Sequence, residues 1–291
     1  MEQSRPLMAL AYMMGATASF TFMAIAGREL AFQLSTFEIM TYRSMIGVVV
    51  VLIIAWARGL LPQIKARRPG LHAVRNLSHF AGQNLWFYAI GFISFAQLFA
   101  FEFSVPLWVA LFAPLFLSER LTATRIAAAG IGFLGILIVA RPDQLEIGPG
   151  LIAAFLCAIG FAGANIGTKL LTRTETTISI MFWLTALQLI YGLIACAIFT
   201  GLRAPTTAEW PWVAIVAVCG LTAHYCITSA LSLAPATVVA PLDFARLPVI
   251  AVIGMLFYDE PLVALTFLGA AVIFGANYLN IRAEQRRNGP A

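Results

Sequence analysis

From Leu7 to Ile281 the chain is a succession of apolar runs, each about 20 residues long, separated by short polar punctuation. A run of that length crosses the roughly 30 Å hydrocarbon core of a bilayer as one helix. Lipid offers the backbone no hydrogen-bond partners, so only helices and closed barrels span it. This feature restricts the fold to a polytopic helical bundle, an all-α integral membrane protein. The runs predict ten transmembrane helices, at residues 7–26, 36–57, 74–93, 95–117, 122–140, 149–168, 177–200, 211–233, 237–258 and 261–281. RGLLPQIKARRPG follows the second run and RPDQLEIGPG the fifth, and Pro211 and Pro261 stand at first-turn positions. The opening LMALAYMMGATASF resembles a secretory signal, but its apolar run is long and belongs to a repeat, which makes it a retained span.

Composition agrees. The chain is 61% hydrophobic and 11% charged, against about 25% charged in soluble domains, too little polar surface for a protein in water. The longest polar connection, Arg58 to Arg75, is too short to fold alone. Cys157, Cys196, Cys219 and Cys226 all fall in apolar segments without CxxC spacing, and read as packing residues rather than disulfides or metal ligands. The net charge of +5 reflects where lysine and arginine sit and calls for no nucleic acid. With ten spans, 13 of the 18 Lys/Arg residues fall on one side, three on the other, and Arg43 and Arg246 fall inside spans. The positive-inside rule then places both termini in the cytoplasm of a cell whose inner (plasma) membrane holds the protein.

Sliding the chain against itself by 141 residues brings several features into register. Arg28 meets Lys169, Ile39-Met40 meets Ile180-Met181, and Tyr42 meets Trp183. Gln83 meets His224, Glu102-Phe103 meets Asp243-Phe244, and Glu119-x-Leu121 meets Glu260-x-Leu262. Each half holds five spans, so the second enters from the opposite side. The reading is two inverted five-helix repeats, residues 1–141 and 142–291. Such halves suit alternating access, because they can exchange conformations around a central site.

Two five-helix halves, one with SERLT at the end of its fourth helix and the other with YDEPL, resemble the EamA-type family of the drug/metabolite transporter superfamily. DFARLP, residues 243–248, is similar to a segment of some members. The resemblance covers the whole chain. It implies a ten-helix transporter whose central cavity is lined by the first four helices of each half, with the fifth helices peripheral. Where many members carry a Trp-Gly pair in the first helix, this chain reads ATASFTF.

Within the spans, charged side chains are expensive and so point to function or to a partner: about 2.5–3.5 kcal/mol at mid-helix on insertion scales. Glu102 in FEFSVPLW and Asp243 in LDFARLPV occupy equivalent places, with Arg43 and Arg246 as the buried cations. Used structurally, these groups form two ion pairs, for example Glu102 with Arg43 and Asp243 with Arg246. Used functionally, at least one binds substrate or titrates, with protons as the candidate coupling ion. His79, Gln83, Asn84, Asn165, Gln188 and His224 are further polar candidates for substrate binding or gating. Pro106, Pro114, Pro241 and Pro248 concentrate in the fourth and ninth spans and predict kinks there. Glu38 is expected near the surface, in reach of water, and Glu119 and Glu260 at helix ends as caps.

Other signals lose on context. Gly130-Ile-Gly132-Phe-Leu-Gly135 matches GxGxxG, but in an apolar span it reads as helix packing rather than dinucleotide binding, as does Gly163-x-x-x-Gly167. Asn76-Leu-Ser78 fits a glycosylation sequon at the cytoplasmic end of a span. The chain has no P-loop, HExxH or CxxC, so neither direct ATP drive, a metal nor a cofactor is expected. The expected function is secondary transport of a small organic metabolite, as monomer or homodimer. Amino acids or related zwitterions come first, with export preferred. A cofactor-like solute (riboflavin, S-adenosylmethionine or a nucleotide sugar) is the alternative within transporters. An intramembrane enzyme and a passive channel are the alternatives in other classes.

Overall fold

A computed structural model describes residues 6–117, 123–140, 148–233, 242 and 246–288. They form the helices α1 (Pro6–Leu30), α2 (Thr36–Ala57), α3 (Pro69–Ala89), α4 (Phe95–Glu102), α5 (Val105–Leu117), α6 (Ala123–Ala140), α7 (Pro149–Leu171), α8 (Thr177–Ala195), α9 (Trp210–Leu233), α10 (Arg246–Tyr258) and α11 (Ala264–Asn288). Among the described residues, seven helices are long and apolar enough to cross a membrane, with α4 and α5 counted as one; most of α6 and all of α10 are shorter apolar helices. The polarity is that of a membrane protein. Arg43, His79, Gln83 and Gln188 are buried, whereas Phe22, Trp56, Leu115 and Phe257 face outward.

Local chemistry sets the helix ends. Ser35 and Glu38 form a capping box that starts α2, and Ser94 and Gln97 form another that starts α4. Pro69 and Pro149 open α3 and α7, where a missing N–H is harmless. Helix α3 begins five residues before the predicted span because His72, Arg75 and Asn76 turn into the protein instead of marking a solvated loop. Glu38 departs from expectation: it is only 6% exposed. One carboxylate oxygen serves the capping box and the other accepts the Arg203 N–H from the α8–α9 loop at 3.0 Å.

The fourth span is broken. Helix α4 stops at Glu102, and α5 starts at Val105 with Pro106 as its second residue. Proline cannot donate to the preceding turn, and neighbours satisfy the freed groups. Ser104 Oγ donates to Phe101 O at 2.6 Å, Trp108 Nε1 donates to Ser104 Oγ, and Asn277 Nδ2 from α11 donates to Phe103 O at 2.7 Å.

Helix pairing displays the internal symmetry. The most extensive contacts are α1 with α9, α3 with α7, α6 with α11 and α2 with α8. At the 141-residue offset, α1 corresponds to α7 and α3 to α9. The α1–α9 contact and the α7–α3 contact are therefore one interface occurring twice. The α2–α8 and α6–α11 contacts each join an element to its own counterpart, as a two-fold axis between inverted halves requires. Glycines permit the closest approaches: a Cβ on Gly160 would lie 2.8 Å from Gly82 Cα, and one on Gly135 would lie 2.8 Å from Gly269 O. Of the GxGxxG stretch, Gly135 thus belongs to the α6–α11 contact, while Gly132 meets Leu107 of α5.

Candidate functional site

Two linked clusters occupy the interior. In the first, the α4 break leaves Glu102 at a helix end, where its Oε1 lies 3.1 Å from Arg246 Nη2 and its Oε2 accepts Trp86 Nε1–H at 2.9 Å. Arg246 is the first residue of α10, and its side chain is 3% exposed. Its guanidinium sits 4.3 Å from the Phe20 ring centroid, 5.0 Å from Phe99 and 5.1 Å from Phe103. Such ring faces stabilise a desolvated cation. The pairing corrects the expected one: Glu102 bonds Arg246 from the other half of the chain, not Arg43, because the α4–α10 contact brings those two helix ends together. Asp243, Pro241 and Glu119 lie outside the described residues.

The second cluster surrounds Arg43, 8% exposed on α2. No carboxylate pairs with it among the described residues; Met40 Sδ, a weak acceptor, lies 3.7 Å from Nη1. Its guanidinium borders a small cavity lined by Ser44, Gly47, Leu184, Thr185, Gln188 and His224. The enclosed space, about 10 Å³, holds roughly one water molecule. Gln188 Nε2 and His79 Nδ1 are 2.6 Å apart, and the His79 and His224 rings are 6.2 Å apart. Phe20 joins the clusters, covering Arg246 and meeting His224 edge-on at 5.9 Å.

The other candidates divide. Gln83 and Asn84 are buried on α3; Asn84 Nδ2 donates to Phe80 O at 2.8 Å, while Gln83 Oε1 and Asn84 Oδ1 have no hydrogen-bond partner among the described residues. Asn165 is exposed on α7 and stands apart from both clusters. Pro106 sits at the α4–α5 break, Pro114 lies within α5, and Pro248 falls in the first turn of α10.

A further set of contacts ties the halves together at the end of the bundle that carries the α1–α2 and α3–α4 loops. Glu260 Oε1 lies 2.9 Å from Arg28 Nη2, and Glu260 Oε2 accepts the Phe95 N–H that opens α4 at 2.8 Å. Arg28 also donates to Ile93 O, and Tyr258 donates to Glu29 at 2.7 Å. Sequence reasoning put Glu260 at a helix end but missed which helix it caps. It also missed Phe20 and Ser44, which carry no charge pattern to betray them. Phe20 lies within ATASFTF, the stretch that departs from the common family pattern.

The inverted halves and the buried polar interior are those of a multi-pass helical membrane protein built from two repeats. The chain belongs to the EamA-like transporter family, whose model matches it twice, over residues 7–141 and 148–282. It is 30% identical over 219 residues to a riboflavin transporter of Brucella anthropi, covering 74% of this chain and 77% of that one. A riboflavin transporter of Rhizobium johnstonii is 30% identical over 228 residues, 78% of this chain and 75% of the relative. An S-adenosylmethionine uptake transporter of Rickettsia bellii is 25% identical over 264 residues, 90% of this chain and 89% of the relative. A solved crystal structure shares the fold, with a TM-score of 0.64 at 18% identity over 97% of this chain and 99% of that one.

Proposed function

We propose that this protein is an inner-membrane secondary transporter that takes up a cofactor-sized solute, with riboflavin the first candidate and S-adenosylmethionine the second. The observation that carries the reading is an imbalance of buried charge among the described residues. Arg43 stands beside the cavity with no acid opposite it among the described residues, while Glu102 is engaged by Arg246 and Trp86. A zwitterionic amino acid needs an acidic partner for its ammonium group, and S-adenosylmethionine, with two cationic centres, needs it more. A neutral heteroaromatic solute with carbonyl acceptors needs none, and finds ring surfaces in Phe20, Trp86 and His224. The names of the relatives support the same class, and so favour uptake of a cofactor over export of amino acids.

The rest of the reading follows from the sequence. The halves divide at 141/142, both termini are cytoplasmic by the placement of lysine and arginine, and a proton gradient is the driving force to test first. Purified protein in liposomes preloaded with unlabelled riboflavin should accumulate labelled riboflavin by counterflow, with saturation. Flux no faster than in protein-free liposomes for both riboflavin and S-adenosylmethionine would overturn the proposal. Flux without counterflow would identify a channel.

A further inference from the structure

The α2 and α8 walls of the Arg43 cavity follow the internal repeat, and α9 supplies the rest of its lining, His224 included. At the 141-residue offset, Arg43 corresponds to Leu184, Ser44 to Thr185 and Gly47 to Gln188. All six line the same cavity. The space between α2 and α8 therefore lies on the pseudo-two-fold axis, each wall supplied by equivalent positions of the two halves. Two of the pairs break the symmetry chemically. One wall presents a guanidinium where the other presents a leucine, and Gln188 faces a glycine.

The site is built around the cation. Gly220 on α9 leaves room for it, since a Cβ there would lie 3.0 Å from Arg43 Nη2. Gln188 is fixed by its bond to His79. The walls are also close: a Cβ on Gly47 would lie 2.9 Å from Thr185 Cγ2. The cavity as closed has room for a water, so a solute enters only when α2 and α8 separate.

We propose that Arg43 is the specificity-determining residue of this axial site, and that it recognises an oxygen acceptor of the solute, either a carboxylate or one carbonyl of a cyclic imide. A guanidinium presents parallel N–H donors that match the two oxygens of a carboxylate, or can converge on a single carbonyl oxygen. Leu184 opposite makes the far wall apolar, so the solute lies with its acceptor edge toward α2 and its hydrocarbon or ring toward α8. This rests on the transporter reading but not on the cofactor reading, since riboflavin offers an imide, and S-adenosylmethionine and amino acids offer a carboxylate.

The test compares purified wild-type protein with Arg43→Leu and Arg43→Lys, without ligand and with riboflavin, S-adenosylmethionine, decarboxylated S-adenosylmethionine, free amino acids and spermidine, by thermal unfolding and equilibrium binding. A buried cation kept for a ligand is a liability in the empty protein, so Arg43→Leu should unfold at the same temperature as wild type or higher. A markedly lower unfolding temperature would make Arg43 a structural residue and overturn the proposal; this comparison decides even if no probe binds. Any acceptor-bearing probe that wild type binds should bind Arg43→Leu about 10- to 100-fold more weakly, and Arg43→Lys, which keeps the charge but loses the fork, should fall between. Loss with riboflavin assigns the imide; loss with S-adenosylmethionine and no binding of its decarboxylated form assigns the carboxylate. Binding of amino acids alone, lost in Arg43→Leu, would uphold the role of Arg43 while overturning the cofactor reading. Equal binding by wild type and Arg43→Leu, or binding of spermidine alone, would overturn it.

Discussion

Glu102 and Arg246 are 144 residues apart, come from opposite halves of the chain, and meet at 3.1 Å. The contact joins the broken end of α4 to the first described residue of α10. Glu102→Gln keeps the shape and removes the charge. Loss of a charge-assisted bond in this setting should lower stability by about 1.5–3 kcal/mol and abolish or strongly slow transport. If Glu102→Gln transports like wild type while remaining folded, the pair has no part in the cycle. Arg246→Lys should fail almost as badly, because a lysine cannot both reach the carboxylate as a fork and lie flat against Phe20.

The Arg28–Glu260 contact makes a second, separable prediction. Glu260 both pairs with Arg28 and caps α4 through the Phe95 N–H. Glu260→Ala should cost about 1–2 kcal/mol as a lost cap and loosen the α3–α4 loop. A cysteine placed at Ser94 would then react faster with a hydrophilic thiol reagent in the Glu260→Ala background. Equal labelling rates in both backgrounds would show that the contact does not hold this end closed.

Helix packing by glycine is testable by contrast. A Cβ at Gly135 meets Gly269 O and Ile273 on α11, whereas a Cβ at Gly130 meets nothing within 4 Å. Gly135→Ala should destabilise the fold by about 1–3 kcal/mol through overpacking. Gly130→Ala should be neutral or stabilising by up to about 1 kcal/mol, from helix propensity. Thermal unfolding of the two variants in one detergent decides it.

The α8–α9 loop carries a pH prediction. Arg203 donates two hydrogen bonds to Glu209, at 2.7 and 2.9 Å, and the Thr206 N–H adds a third at 2.7 Å. These bonds, Arg203 first, hold the Glu209 carboxyl down to about 2 from an ordinary 4.5. A carboxylate more acidic in the folded than in the unfolded protein stabilises fully above the unfolded value and stops doing so as pH falls through the folded one. The difference in unfolding temperature between wild type and Glu209→Gln should therefore be constant above about pH 4.5 and close on approaching pH 2. A difference that persists unchanged at pH 2 would contradict it.

The spans, the inverted halves and the burial of Arg43 and Arg246 were legible because each depends on local composition or on a fixed offset. Partner choice was not. Which carboxylate meets which arginine depends on helix rotation and on the break at Phe103–Ser104, and the repeat offset says nothing about either. Pairing Glu102 with Arg43 was reasonable by charge and wrong by geometry. Glu38 reads as a surface residue until Arg203, 165 positions away, folds over it. Helix α3 shows the opposite error. Its polar residues resemble a loop in hydropathy, yet they form its buried face because α7 and α8 supply their partners, as in Arg75 with Thr168 and Asn76 with Trp183 O.

The axial placement of Arg43 and Leu184 has a consequence for the polarity of the molecule. A frame made of two inverted copies has no intrinsic up or down; exchanging the copies leaves the scaffold unchanged. In the role proposed for Arg43, the cation on one wall of the central space supplies a direction, because it sets which end of a solute faces which half. Moving that charge across the axis, as Arg43→Leu with Leu184→Arg, would give nearly the same protein turned over around its cargo. On this scaffold, one guanidinium acts as a compass needle.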